Sequence, residues 1–96
     1  MKPLDGIRVL DLSRVLAGPY ATALMADLGA EIIKIEPPQG DDYRHIGPFR
    51  DGESALFTLN NRGKKSVVLD LKNPAHLAIA QAIAARVDVV VENFRP

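Results

Sequence analysis

Two hydrophobic rhythms divide this chain. The run Ile7-Arg8-Val9-Leu10-Asp11-Leu12 is dominated by residues that suit a buried strand. Ile32-Ile33-Lys34-Ile35 has the same character and marks a second strand over Glu31–Glu36. Between them Ala21, Leu24, Met25 and Leu28 recur at helical spacing, which predicts a helix over Pro19–Leu28 with these residues on one apolar face. Pro19 suits the first helical position with Gly18 as the cap before it, and Gly29 follows the last apolar position, where a left-handed stop is usual. A strand–helix–strand unit this compact predicts a right-handed crossover with parallel strands.

The pattern repeats after a long interruption. Pro37-Pro38 ends the second strand, because proline cannot donate to a ladder. Gln39–Ser54 is rich in turn formers and long for a connection, as functional or mobile loops often are. Ala55–Asn60 suits a single helical turn, and Asn61–Lys65 is a polar, basic turn. A third strand is expected over Ser66–Leu71. Asn73-Pro74 pairs a cap with a first-turn proline, and the alanine-rich Pro74–Arg86 predicts a second helix with Ile79, Ala80, Ile83 and Val87 on one side. Asp88–Phe94 reads as a fourth strand. The strands are continuous apolar runs rather than alternations, which favours a sheet covered on both faces. The expected fold class is α/β, with Rossmann-like β-α-β units on a mainly parallel sheet.

Composition narrows the function classes. Ninety-six residues allow one small domain, and the 47% apolar and 25% charged content is that of an ordinary soluble globular chain. A formal net charge of zero gives no electrostatic footprint for nucleic acid or an acidic membrane. The absence of cysteine leaves no disulfide frame and no cysteine-based zinc site, and fits a reducing compartment, expected to be the cytoplasm. The amino terminus has no long apolar stretch of the kind that signal peptides and membrane spans need. The sequence stops at Pro96 directly after a strand-like run, so a piece of a longer protein is expected. An unpaired sheet edge in such a piece invites association and implies marginal stability in isolation.

Glu36 stands where a dinucleotide-binding fold keeps its ribose acid, but Ala17-Gly18-Pro19 lacks the glycine-rich turn, so a solvated strand end is the better reading. Gly63-Lys64-Lys65 is not a phosphate loop; Arg62, Lys64 and Lys65 are expected in a solvated turn before a strand. Asp41-Asp42 is likewise expected in a solvated turn rather than at a cation. His45 and His76 lack matched ligand spacing and read as surface residues. No Ser-His-Asp arrangement is legible, and no residue is assigned a catalytic or metal-binding role. What remains is position: Ser13–Gly18 lies at the carboxyl end of the first strand, where open α/β sheets bind ligands.

Several segments in order then carry a resemblance. They are Gly6–Leu12 with Ala17-Gly18-Pro19; Leu28–Pro37; Gly40-Asp41 with Arg44; Asn61–Ser66 leading into Leu69–Lys72; and Asp88–Pro96. Together they cover nearly the whole chain and resemble the amino-terminal part of the class III CoA-transferases, whose superfamily also holds formyl-CoA transferase, carnitine CoA-transferase and the α-methylacyl-CoA racemases. The resemblance implies that residues 1–96 belong to a Rossmann-like, CoA-binding large domain of an interlocked homodimer. It implies transfer of CoA between an acyl-CoA thioester and a small carboxylic acid through an aspartyl-acyl anhydride, the nucleophile lying beyond position 96. CoA or acyl-CoA enters as substrate, with no permanently bound cofactor, and neither nucleic acid nor membrane is an expected partner. A racemase of the same superfamily and a non-catalytic Rossmann-type nucleotide-binding module are the alternatives. Residue-by-residue matching gives the CoA contacts as Val15 and Leu16; Leu69, Asp70, Leu71 and Lys72; and Asn93, Phe94 and Arg95. Some members carry an arginine where this chain has Pro37; Arg44 and Lys72 are the candidates to replace it.

Overall fold

A computed structural model describes residues 1–95. Pro96, which closes the last segment of the resemblance, lies outside the described residues. In chain order the elements are β1 (Arg8–Asp11), α1 (Ala17–Asp27), β2 (Glu31–Glu36), a 3-10 turn (Asp42–His45), β3 (Phe49–Arg50), β4 (Glu53–Ser54), α2 (Ala55–Asn60), β5 (Lys64–Val68), α3 (Pro74–Ala84) and β6 (Val89–Val91). The fold class is α/β, as expected. The main sheet runs β5-β2-β1-β6 with every neighbour parallel. Gln39–Ser54 is not a bare loop: it holds the 3-10 turn and the antiparallel β3–β4 hairpin.

Strand alternation sorts the sheet into two chemically different faces. On the α3 side Leu10, Ile35, Leu69 and Ala80 form a buried apolar cluster, extended by Leu12, Ile33, Ile83 and Val87. This layer matches the expected face of the second helix except for Ile79, which is exposed. On the α1 side the apolar cluster is smaller: Val9, Ala30 and Ile32, with Met25, Ala26 and Val91 against it. Toward the carboxyl ends of the strands this second face changes to Asp11, Lys34 and Glu36, all buried. The continuous apolar runs therefore conceal a charged stripe.

That stripe explains why α1 does not bury the face its hydrophobic spacing predicts. The helix turns Pro19, Thr22 and Ala23 inward, while Leu24 and Leu28 are 42% and 45% exposed. Asp11 needs a donor from the helix, and the Thr22 hydroxyl supplies it at 2.7 Å. Small and polar residues are what permit that approach. The helix also starts earlier than expected, at Ala17 with Leu16 as the cap residue, so Pro19 stands inside the first turn rather than opening it. Tolerance there is simple: backbone N–H groups of a first turn have no intrahelical partner, so proline removes nothing that is used. In α3, by contrast, Asn73 caps as expected, accepting from the N–H groups of Ala75 and His76. The third strand begins at Lys64 rather than Ser66 and leaves Leu69–Lys72 as a turn, while α3 stops at Ala84 rather than Arg86.

Gly29 ends α1 as expected, with φ +107°. A Cβ at this position would overlap the Asp5 carboxylate and come within 2.9 Å of Lys2 Cβ, so strain and collision coincide. Gly52, φ +80° in the β3–β4 turn, has open space instead. Gly29→Ala should therefore destabilise by about 2 kcal/mol and Gly52→Ala by about 1 kcal/mol. Equal losses in chemical denaturation of the two variants would mean that the packing of Lys2–Asp5 over Gly29 contributes nothing.

Candidate functional site

Four buried polar groups fix the upper end of the α1 face. Lys64, its side chain 2% exposed, reaches under the helix to Asp11 at 2.9 Å and also donates to the carbonyl of Pro19 and the side chain of Asn61. Asp11 also accepts from the backbone N–H and hydroxyl of Ser13 and from Thr22. Burial pushes the Asp11 carboxyl up, but these hydrogen bonds and the Lys64 charge outweigh it and leave it below the ordinary range. The Lys64 ammonium is pushed down by burial further than Asp11 raises it. Lys34, equally buried, donates to the Ser13 carbonyl at 3.1 Å. Its Nζ lies 3.0 Å from Asp41 Oδ2, which is not aligned for a hydrogen bond, so this contact is one of charge attraction. Lys64 and Asp41 thus do not lie in the solvated turns expected of them.

Glu36 departs from expectation in the same way. It is 2% exposed and paired with Arg44 through two hydrogen bonds of 2.6 and 2.8 Å. It also accepts from Ser66 and from the Asp41 backbone at 2.9 Å. The Arg44 pairing outweighs burial and, with those two donors, holds the Glu36 carboxyl down at about 2. Arg44 in turn stacks 3.9 Å above the Phe57 ring. Arg44 lines a separate depression bordered by β4 and α2, so of the two candidates to stand in for an arginine at Pro37, Lys72 shares a cleft with that proline, while Arg44 is engaged with the neighbouring Glu36. Arg62 is held by Asp27 and the Leu59 carbonyl.

At the carboxyl ends of the strands two clefts open side by side. The first, of about 440 Å³, has a floor of Leu12, Ile35 and Leu69 and walls of Pro37–Gln39 and Asp70–Lys72. The second, of about 410 Å³, lies between Val15, Asp42 and Asn93–Arg95. Arg14 and Phe94 border both, the guanidinium 5.3 Å from the ring centre. Of the residues expected to contact CoA, Leu69, Asp70, Leu71, Lys72 and Phe94 line the first cleft, and Val15, Asn93, Phe94 and Arg95 line the second. Leu16 lines neither. Arg14 escaped the sequence reading, although a cation in the loop after the first strand was a legible signal. No carboxylate among the described residues pairs with Arg14, Lys72 or Arg95.

Local chemistry preshapes these walls. The Asp70 carboxylate accepts from the Lys72 N–H, and the Asp70 N–H donates to His76 Nδ1 at 2.9 Å, so His76 braces the turn from α3. His45 contacts the Gln39 carbonyl through Nε2. Among the described residues no group of three His, Asp or Glu side chains is arranged to hold a metal ion. No helix there is long and apolar enough to cross a membrane.

The clefts lie at the carboxyl edge of a parallel sheet, where β6 returns beside β1, the switch point of an open α/β fold. The sequence profile of CoA-transferase family III matches residues 4–96, and the chain belongs to that family. It is 53% identical to mouse succinyl-CoA:glutarate CoA-transferase, all of this chain aligning with 22% of that enzyme. It is 50% identical to acetyl-CoA:oxalate CoA-transferase from Acetobacter aceti, over 98% of this chain and 24% of that one. A CAIB/BAIF family protein from Brucella suis superposes with a TM-score of 0.91 at 42% identity, over 97% of this chain and 26% of that one. The chain therefore spans about a quarter of the length of such relatives.

The Glu36 pairing has a pH signature. A carboxyl whose folded value is lowered contributes stability above its unfolded value of 4.5, and loses it as pH falls toward about 2. With the Arg44 side chain 44% exposed, the contribution at neutral pH should be about 2 kcal/mol. Arg44→Met keeps an unbranched apolar stem and removes the guanidinium that pairs with Glu36 and stacks on Phe57, so its unfolding free energy should fall less steeply between pH 5 and pH 2. Identical acid profiles for the two proteins would show that Arg44 does not hold Glu36 down.

Proposed function

We propose that the full-length protein is an acyl-CoA transferase and that this chain supplies the loops that hold CoA. The observation that carries the reading is the convergence of three strand-end segments, Arg14–Val15, Leu69–Lys72 and Asn93–Arg95, around two contiguous clefts bordered by unpaired cations. Arg14, Lys72 and Arg95 suit the phosphates of CoA, and the apolar floor with Phe94 suits its adenine or pantetheine portions. The names of the relatives, which are CoA-transferases acting on dicarboxylic acids, support transfer over racemisation.

In the proposed reaction an aspartate carboxylate attacks the thioester carbonyl, CoA leaves as thiolate, and the acyl group stays as an aspartyl anhydride. The CoA thiolate then attacks the aspartyl carbonyl of that anhydride, releasing the donor acid and leaving an aspartyl-CoA thioester. The acceptor carboxylate attacks this thioester and expels the thiolate, which takes the acceptor acyl group from the second anhydride and frees the aspartate. None of the aspartates of this chain takes the nucleophile's role: Asp11 is committed to Lys64, and Asp41 lies beside Lys34. The protein acts as a cytoplasmic homodimer in this reading.

Calorimetric titration of the full-length protein with CoA tests the assignment. Lys72→Ala and Arg95→Ala should each weaken binding by about 1–2 kcal/mol, roughly tenfold, the scale of a charge-assisted contact. No binding to the parent protein rejects the CoA reading; binding that ignores both substitutions rejects these residues as the phosphate contacts.

A further inference from the structure

The loop between β1 and α1 is held in a conformation it would not choose alone. Val15 has φ +76°, a left-handed value that β-branched residues adopt only under constraint. Its side chain is 49% exposed, so its own burial does not impose that value. The constraint comes from the residues before and after it. Ser13 is fixed by Asp11 and Lys34. Beyond Val15 the helix begins, with the Tyr20 N–H donating to the Leu16 carbonyl at 2.8 Å.

Arg14 is gripped from another strand. Its N–H donates to Asn93 Oδ1 at 3.0 Å, and its carbonyl accepts from Asn93 Nδ2 at 2.7 Å. The amide thus pairs with the Arg14 backbone as a second backbone would, using a donor and an acceptor at once. Gly18 packs alongside: a Cβ there would overlap the Ser13 side chain and stand at ordinary contact distance, 3.5 Å, from Asn93 Cγ. Asparagine is singled out by this geometry. Aspartate would set a carboxylate oxygen against the Arg14 carbonyl, and alanine would leave both backbone groups unpaired.

We propose that Asn93 is a positioning residue for CoA, its side-chain amide clamping the Arg14 backbone so that Val15 stays left-handed and Arg14 stays over Phe94 between the two clefts. The inference rests on the CoA reading above. It assigns Asn93 an action through Arg14 in place of a direct contact with the nucleotide.

The full-length parent, Asn93→Ala, Asn93→Asp and the double variant Asn93→Ala/Val15→Gly are compared in two ways. Limited trypsin digestion without CoA follows cleavage after Arg14 against cleavage after Arg86, at the far end of α3. Calorimetry follows CoA affinity. Both single variants should speed cleavage after Arg14 by about tenfold with cleavage after Arg86 unchanged, and weaken CoA by about tenfold, the loss expected from one or two hydrogen bonds. Glycine at position 15 accepts the left-handed value without strain, so the double variant should recover part of the CoA affinity. Weaker CoA binding with unchanged cleavage after Arg14 makes Asn93 a direct ligand and overturns the proposal. A parallel rise at Arg86, an unaltered CoA affinity, or no recovery with glycine overturns it as well. A parent protein that does not bind CoA rejects the functional reading and the clamp's role in binding together, while the cleavage ratio still reports whether the clamp exists.

Discussion

The buried ion pair between Lys64 and Asp11 is the constraint on which the carboxyl end of the sheet depends. Charges taken out of water are costly, and their mutual attraction seldom more than offsets that cost, whereas loss of one partner costs about 3–5 kcal/mol. The pair is therefore better understood as a device for geometry than as a source of net stability. It ties the start of β5 to the end of β1 and, through Thr22 and the Pro19 carbonyl, to the first turns of α1. Ser13 passes the constraint from Asp11 to Lys34, and Lys34 passes it to Asp41 at the head of the 3-10 turn. Glu36 and Arg44 continue the line toward the hairpin. These links anchor the loop after β1 and the segment after β2 where each leaves the sheet.

The two faces of the sheet divide the work. The α3 face is an apolar layer of ordinary composition and supplies the hydrophobic driving force. The α1 face gives up part of that force to hold charges, which is why α1 carries Thr22 and Ala23 inward and leaves Leu24 and Leu28 outside. Connectivity completes the arrangement. Because β6 returns next to β1, Asn93 arrives beside Arg14 although 79 residues separate them. A fixed loop at that switch point presents Arg14 and Phe94 to both clefts.

Much of the fold was legible in the residues. The glycine stop at Gly29, the bounds Glu31–Glu36, the Ala55–Asn60 turn and the Asn73 cap all follow from local rules that tertiary packing did not override. Helix spacing misled at α1, because periodicity counts apolar residues and cannot say that the opposing sheet is charged. Lys34 and Glu36 hid for a related reason: within an apolar run a charge reads as solvated unless its partner is known, and their partners Asp41 and Arg44 come from a turn-rich segment with no regular pattern. Of the candidate site, the segments were legible through the family resemblance, and the cations through their chemistry. The role of Asn93 was not, since a two-way pairing with Arg14 exists only once β1 and β6 are neighbours.

The most direct test of a preformed CoA cleft is a pair of crystal structures of the full-length protein, with and without CoA. The expected result is CoA lying across the two clefts, with Arg14, Lys72 and Arg95 toward its phosphates. The backbones of Ser13–Leu16, Leu69–Lys72 and Asn93–Phe94 should agree within about 1 Å between the two, as in other pre-organised sites. CoA bound elsewhere on the protein, or loops that assemble around it only after breaking the Lys34–Asp41 and Asn93–Arg14 contacts, would contradict it.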